Sequence, residues 1–310
     1  MTGSFLHADF DVLNDLWERC YPERYWVSAD LLKSHTVGSV GFSDPLSRWE
    51  IYADHLTAYA CVKKPEWVSN YPVSNPTQFH LNCLVFKDFD AAAKLLDLIE
   101  PNCRAHGATH LRFGQDQRHF WPGVPTDFEH MADFLESRGY VREPEAYDVE
   151  RDLSEFEAPT FAHEGFEVRA CTAEDLTALA AFFDVEFPHR WKHDVLAHWN
   201  LAGPESVIGL FQGSVCSGFA LVQHEPAPVP IGGAVWKRSL GEQWGSLGPI
   251  GVAQSVRGQG LGEGLLAEAL RLLKERGVKQ TIIDWTTLGE FYGKQGFAIT
   301  RRYIPMVKEL

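Results

Sequence analysis

The stretch VRGQGLGEG (256–264) puts glycine at positions 258, 260, 262 and 264 and runs straight into LLAEALRLLKERG. Glycine costs about 0.8–1.0 kcal/mol per interior helix site relative to alanine, so its repeated use at the mouth of a helix needs a reason. Without Cβ atoms a bulky ligand can touch the backbone, and the free N–H groups of a helix start form an anion site. The spacing therefore predicts a ligand that bears a phosphate or pyrophosphate. No GK[ST] follows, which excludes a Walker loop, and the third glycine of a dinucleotide fingerprint falls on Glu263 or Leu265. Cys216 could be a nucleophile, but no basic partner stands near it in sequence, and it reads as a packed thiol. His189, His193 and His198 in FPHRWKHDVLAHWN lack HExxH spacing and read as helix-face or cap residues. The six cysteines are scattered without a CxxC pair, so neither a zinc site nor a disulfide frame is expected.

The elements around the glycines are well specified. Leu261, Leu265, Ala269 and Leu272 share one helical face, and Gly277 can end the helix in a left-handed conformation. A strand-like run, GSLGPIGVA, precedes the glycines, and another, TIIDW, follows the helix. In the latter, alternation places Ile282 and Asp284 on one face and Ile283 and Trp285 on the other.

The same order of elements occurs earlier in the chain. RWEIYADHLTAYACV matches SVIGLFQGSVCSGFALV, LNCLVFKD with DAAAKLLDLIEPNCRAHG matches the strand and helix just described, and FLESRGY matches FYGKQGF. A pair of strands is expected to close each half, around EAYDVERDL and TRRYIPMVKEL. Offsets near 157–160 predict a duplicated unit, with domains at 1–155 and 156–310 and a linker at 153–167. Two excursions break the correspondence. The first half carries QDQRHFWPGVPTDFEH, whose Phe120, Trp121, Asp116, Asp127 and Glu129 suit either domain packing or an amino sugar. The second carries PAPVPIGGAVWKRSLGEQW (226–244), long and proline-rich as a substrate lid often is.

Composition bounds the partners. The 310 residues carry 42 acids against 28 bases, a net charge of −14. Such a surface repels phosphate backbones, so nucleic acid is not expected, whereas a cationic or amine-bearing small molecule is compatible. No apolar run is long enough to span a membrane, and MTGSFLHADFDVL has no secretory pattern, which predicts a cytoplasmic protein. The sequence leaves the oligomeric state open, a homodimer included.

Val252, Arg257, Gly260 and Gly262 fit the pattern V-x4-R-x2-G-x-G, and FYGKQGF (291–297) follows the next strand at the expected distance. Together these resemble the acetyl-CoA loop and the FYxKxGF signature of the GNAT superfamily of acyl-CoA N-acyltransferases. The resemblance covers 165–310, and the first half only as a degenerate copy, with FKDFDAAAKLL in place of the glycine loop and Leu135 in place of Tyr292.

The resemblance implies an α/β (α+β) fold of two GNAT-like domains, each a mixed, mostly antiparallel sheet flanked by helices. It also implies that the fourth and fifth strands splay apart to admit acetyl-CoA. Backbone groups of Ile250, Gly251 and Val252 would then hold the pantetheine arm. The N–H groups of Gly258, Gln259, Gly260, Leu261, Gly262 and Glu263 would hold the pyrophosphate, helped by Arg257. Tyr292 would act as general acid to the leaving thiolate, or merely hydrogen-bond near it. Asp284 would deprotonate the attacking ammonium, or merely receive N–H groups at a strand end. His189, Arg190 and Trp191, near the joint of the first two helices, would touch the acceptor. The implied reaction is direct acetyl transfer to a small-molecule primary amine in a ternary complex, without a metal, an amino sugar being the favoured acceptor. The competing reading is a module that binds acyl-CoA without turnover.

Overall fold

The repeat read from the sequence folds into two sheets of one pattern in a computed structural model that describes residues 2–65 and 75–310. The first half opens with β1 (Thr2–Gly3), α1 (Phe10–Cys20), α2 (Ala29–His35), β2 (Arg48–Tyr52) and β3 (His55–Lys63). It continues through β4 (Gln78–Phe86), α3 (Phe89–Ala105), β5 (His110–Phe113), β6 (Val124–Pro125), α4 (Glu129–Ser137), β7 (Val141–Arg142) and β8 (Ala146–Asp152). The second half opens with β9 (Glu167–Ala170), α5 (Leu176–Glu186), α6 (Arg190–Ala202), β10 (Val207–Gln212) and β11 (Val215–His224). Then come α7 (Lys237–Leu240), β12 (Trp244–Val252), α8 (Leu261–Glu275), β13 (Gln280–Thr286), α9 (Gly289–Lys294), β14 (Ala298–Ile304) and β15 (Met306–Glu309).

Local signals explain the helices that matter most. Asp88 caps α3 by accepting from the Ala91 N–H at 2.9 Å, and Gly107 follows its end at φ +92°. In α8 the expected face is buried through Leu261, Leu265 and Ala269, but Leu272 is only half-buried. Leu266, Leu270 and Leu273 complete a broader apolar stripe than the four-residue face predicted.

The sheets run β1-β2-β3-β4-β5-β15-β7 and β6-β14-β8-β13-β12-β11-β10-β9. Parallel pairing occurs at β4–β5 and at β12–β13, the same place in each half. The closing strands of the two halves are exchanged. Strand β8 lies between β13 and β14, with Arg151 opposite Thr281 and Val149 opposite Ile299. Strand β15 lies between β5 and β7, with Val307 opposite both Arg112 and Val141. Alternation fixes which face of a strand is buried, and two related slots offer the same face. Sequence pattern alone therefore does not choose between them.

Each sheet has its own apolar core, and the excursions bind the two together. Phe120 and Trp121 are fully buried, and Trp121 lies 5.3 Å from Trp17 and from Tyr25 and 5.1 Å from Trp236. Ala234, Val235 and Trp236 of the proline-rich excursion are buried in the first half's core. That excursion therefore bridges the two halves.

Candidate active site

Strands β12 and β13 are paired only from Trp244↔Gln280 to Ser246↔Ile282. Beyond that point β12 keeps β11 as its neighbour, with Ile250, Gly251 and Val252 opposite Ala220, Phe219 and Gly218. Its other edge opens, which is the splay that the resemblance implied. Strand β13 is itself irregular between Ile283 and Thr286, and Trp285 takes φ +45°, a rare conformation for a non-glycine residue. Strict alternation therefore fails after Ile283, and Asp284 and Trp285 line the same cavity instead of opposite faces. The Trp285 N–H is held by Asp148 Oδ1 at 3.1 Å.

At the far end of the gap, the glycine loop is bare. Gly258 and Gly260 have φ of +76° and +78°, and Gly260 caps α8 without a side-chain hydrogen bond. A Cβ on Gly258 or on Gly262 would meet no atom within 4 Å, so the backbone there faces open space. The Gly264 N–H closes the first turn on Gly260 O at 3.0 Å. The N–H groups of Leu261, Gly262 and Glu263 are those a helix leaves without an internal partner. Gly264 has a different reason: its Cβ would stand 2.6 Å from the Phe161 ring. Arg257 is exposed, with Nε 3.3 Å from Val252 O, and the Gln259 amide donates to Ser255 O at 3.3 Å.

Between these strands lies a cavity of about 460 Å³. Tyr292, Asp284, Ile250, Arg190 and Trp191 all line it, whereas His189 does not and instead precedes α6 at its N-cap. His193 and His198, read from sequence as helix-face residues, line it too. Gly251 faces the α5–α6 joint, where an added Cβ would lie 2.8 Å from Phe187 and 3.3 Å from Trp191.

Tyr292 is 5 % exposed, and burial, with the Asp284 charge beside it, pushes its phenol up to about 12. Burial pushes Asp284 upward as well. The His119 hydrogen bond, the Gly233 N–H and the Arg190 guanidinium outweigh it and hold the carboxyl below its ordinary range. At Asp148 the balance falls the other way: burial and the Asp284 charge outweigh the Arg301 charge, the Tyr303 hydroxyl and the Trp285 N–H and raise it to about 7.

Sequence reasoning missed His119. The first half's insertion was expected to offer aromatics and carboxylates, but Asp116 is buried against Lys63 and Asp127 pairs with Arg24. Gln117, Arg118 and His119 reach the cavity instead. The visible signal was length, since Gly107 to Gly139 spans 32 residues where Gly277 to Gly296 spans 19. Asp148, the fully buried acid of the strand AYDVERD, was missed as well.

A mixed sheet opened between its parallel strands, with a bare helix start at one end of the gap, defines an acetyltransferase fold. Residues 174–297 match the acetyltransferase (GNAT) family, which places a GNAT domain in the second half. The first half has the same GNAT-like fold, so the chain is a tandem of two such domains. No curated protein matches the sequence. Among solved structures, the chain is similar to a GCN5-related glucosamine N-acetyltransferase region of a fungal multi-domain GH3 β-N-acetylglucosaminidase, at TM-score 0.88 and 20 % identity. That match covers 99 % of this chain and 38 % of the longer fungal protein. A GCN5-related N-acetyltransferase from Sphaerobacter thermophilus matches at TM-score 0.72 and 17 % identity, over 100 % of this chain and 95 % of that one. A tandem GNAT protein from the clavulanic acid biosynthesis pathway matches at TM-score 0.63 and 15 % identity, over 97 % and 94 % of the two chains.

Proposed function

We propose that the protein is an acetyl-CoA-dependent N-acetyltransferase with one working site, in its second half, acting on the primary amine of a small molecule. The observation that carries this reading is the cleft itself. The opening between β12 and β13 runs from a cavity lined by Tyr292 and Asp284 toward the bare start of α8.

Acetyl-CoA, when bound, supplies an acetyl group activated as a thioester. The N–H groups of Gly258, Gln259, Gly260, Leu261, Gly262 and Glu263 would hold its pyrophosphate, with the Arg257 charge nearby. The unpaired edge of β12 at Ile250, Gly251 and Val252 would hold the pantetheine arm and present donors to the carbonyl oxygen, where negative charge develops. The open space over Gly258 and Gly262 supports that fit.

Asp284, kept ionised, attracts a cationic amine and takes a proton at its carboxylate as the nitrogen commits its lone pair. Tyr292 Oη, at about 12, keeps its proton at neutral pH and has one to give to the departing sulfur. Cys216 supports direct attack over an acyl-enzyme: it is buried, its thiol is raised to about 11, and it donates to Gly218 O at 3.4 Å.

An amino sugar is the acceptor class we favour. The fungal relative is described as acting on glucosamine, and Gln117, Asp194 and Thr287 give the cavity wall polar partners for hydroxyl groups. The test is a panel of glucosamine, aminoglycosides, polyamines and amino acids, followed by CoA release and by mass spectrometry of the acetylated product. Release with an amino sugar supports the reading. Tight acetyl-CoA binding with no product from any amine would leave only the binding module.

A further inference from the structure

Resting on that reading, we propose that the first half is an obligatory part of the acceptor site. A loop at 114–121, locked by the buried Lys63–Asp116 pair, carries His119 across as the positioning residue for Asp284.

The contact is specific. His119 is 5 % exposed, and its Nε2 lies 3.0 Å from Asp284 Oδ2 while its Nδ1 lies 3.2 Å from Arg190 Nη2. An arginine only donates, so Nδ1 is the acceptor and Nε2 carries the hydrogen that goes to Asp284. Trp285 fixes the ring from the side, edge-on at 4.9 Å. The imidazole thus supplies a directed donor to a carboxylate that burial would otherwise drive toward its neutral form. The other groups facing Asp284 are the Gly233 N–H, the Arg190 guanidinium, the Tyr292 phenol and Asp148. Of these, Tyr292 and Asp148 do nothing to keep it charged.

What holds the loop is the first half's own counterpart of the gap. Strands β4 and β5 pair as far as Leu81↔Phe113, and just past that pair the space is filled. Lys63 Nζ meets Asp116 Oδ2 at 2.5 Å, with both side chains 2 % exposed, and also donates to Gln117 O at 2.9 Å and Arg118 O at 3.3 Å. Asn82 donates to the same Asp116 oxygen at 3.0 Å, and the Gln115 N–H closes on Trp121 O at 2.9 Å. These bonds hold Gln115 at φ +60° and Arg118 at φ +54°, the bends that aim His119 at the other half. Removing one partner of a buried pair is far more damaging than removing both, so the pair is best tested as a unit.

The test is the ratio of variant to wild-type kcat/KM against pH, with glucosamine as the probe acceptor, because the ratio cancels the acceptor's own ionisation. In His119→Ala, Asp284 loses its donor and its ionisation moves to higher pH. The ratio is then expected to fall on acidification, by roughly tenfold per pH unit below the shifted midpoint. His119→Gln, which keeps an N–H donor, should recover part of the loss. The double variant Lys63→Met with Asp116→Leu, which lies outside the cavity, should reproduce the fall, while acetyl-CoA binding stays unchanged in every variant. A flat ratio in His119→Ala overturns the proposal, and it decides the matter even if the double variant does not fold. If no amine is acetylated by the wild type, the enzyme reading fails and the dyad is tested by itself through the NMR signal of the His119 Nε2 hydrogen. A signal that moves upfield in Asp284→Asn supports the dyad; one that the substitution leaves in place overturns it.

Discussion

Asp148 Oδ1 accepts the Trp285 N–H at 3.1 Å, and its other oxygen accepts the Tyr303 hydroxyl at 2.6 Å. Asp148 belongs to β8, the strand by which the first half completes the second half's sheet. One exchanged residue therefore pins the irregular turn that brings Asp284 and Trp285 into the same cavity.

That carboxyl makes stability depend on pH. Its value in the fold, about 7, lies above the ordinary range, so the folded protein keeps a proton that the unfolded chain releases near pH 4. The stabilisation is complete below that range and is lost as pH rises through 7. Asp148→Asn can accept from Trp285 and donate to Tyr303 without titrating. Its stability relative to wild type should rise between pH 5 and pH 8, by on the order of a few kcal/mol in urea unfolding. Equal differences at the two pH values would show that Asp148 does not titrate with the fold.

Tyr292→Phe removes a hydroxyl and little volume. Turnover is expected to fall by a factor of order 10² or more, with acetyl-CoA affinity nearly unchanged. Steady-state kinetics beside calorimetric binding measures both. Unchanged turnover would assign the proton to another group or to solvent.

Cys216→Ala should retain transfer, because the thiol is packed and not activated. Mass spectrometry of enzyme quenched during turnover should show no acetyl adduct on the protein. An adduct at Cys216 together with lost activity would replace direct attack with a two-step route.

The exchanged strands predict a long-range effect. Met306 is fully buried, Lys308 pairs with Glu100 at 2.5 Å, and the Leu310 N–H donates to Thr109 O at 2.9 Å. Deleting 306–310 from the end of the second half should destabilise the first half, by roughly 3 kcal/mol or more from lost burial and backbone bonds. Limited proteolysis of the truncated chain should cut first within 75–142. Early cleavage in the second half instead would count against the exchange.

The parts of the site legible in the sequence were those fixed by local chemistry. Glycines at 258, 260 and 262 announced a bare helix start, and FYGKQGF placed Tyr292 after the strand that carries Asp284. What was not legible depends on distant partners. Trp285 leaves the alternating pattern because Asp148, 137 residues away, holds its N–H. His119 reaches Asp284 across 165 residues, on a loop whose bends come from a lysine in another strand. The exchange of β8 and β15 was hidden for a related reason, since a duplicated fold offers each strand two equivalent slots.

The most direct test of the central claim is thermal stabilisation by acetyl-CoA, CoA and NAD at matched concentrations, in wild type and in Gly260→Val. At a hundred times the dissociation constant a specific ligand adds about 2.7 kcal/mol. Wild type should gain stability with both CoA species and none with NAD. Gly260→Val, forced to place a side chain at φ +78°, should lose that gain. Indifference of the wild type to both CoA species, or undiminished stabilisation of Gly260→Val, would contradict the account.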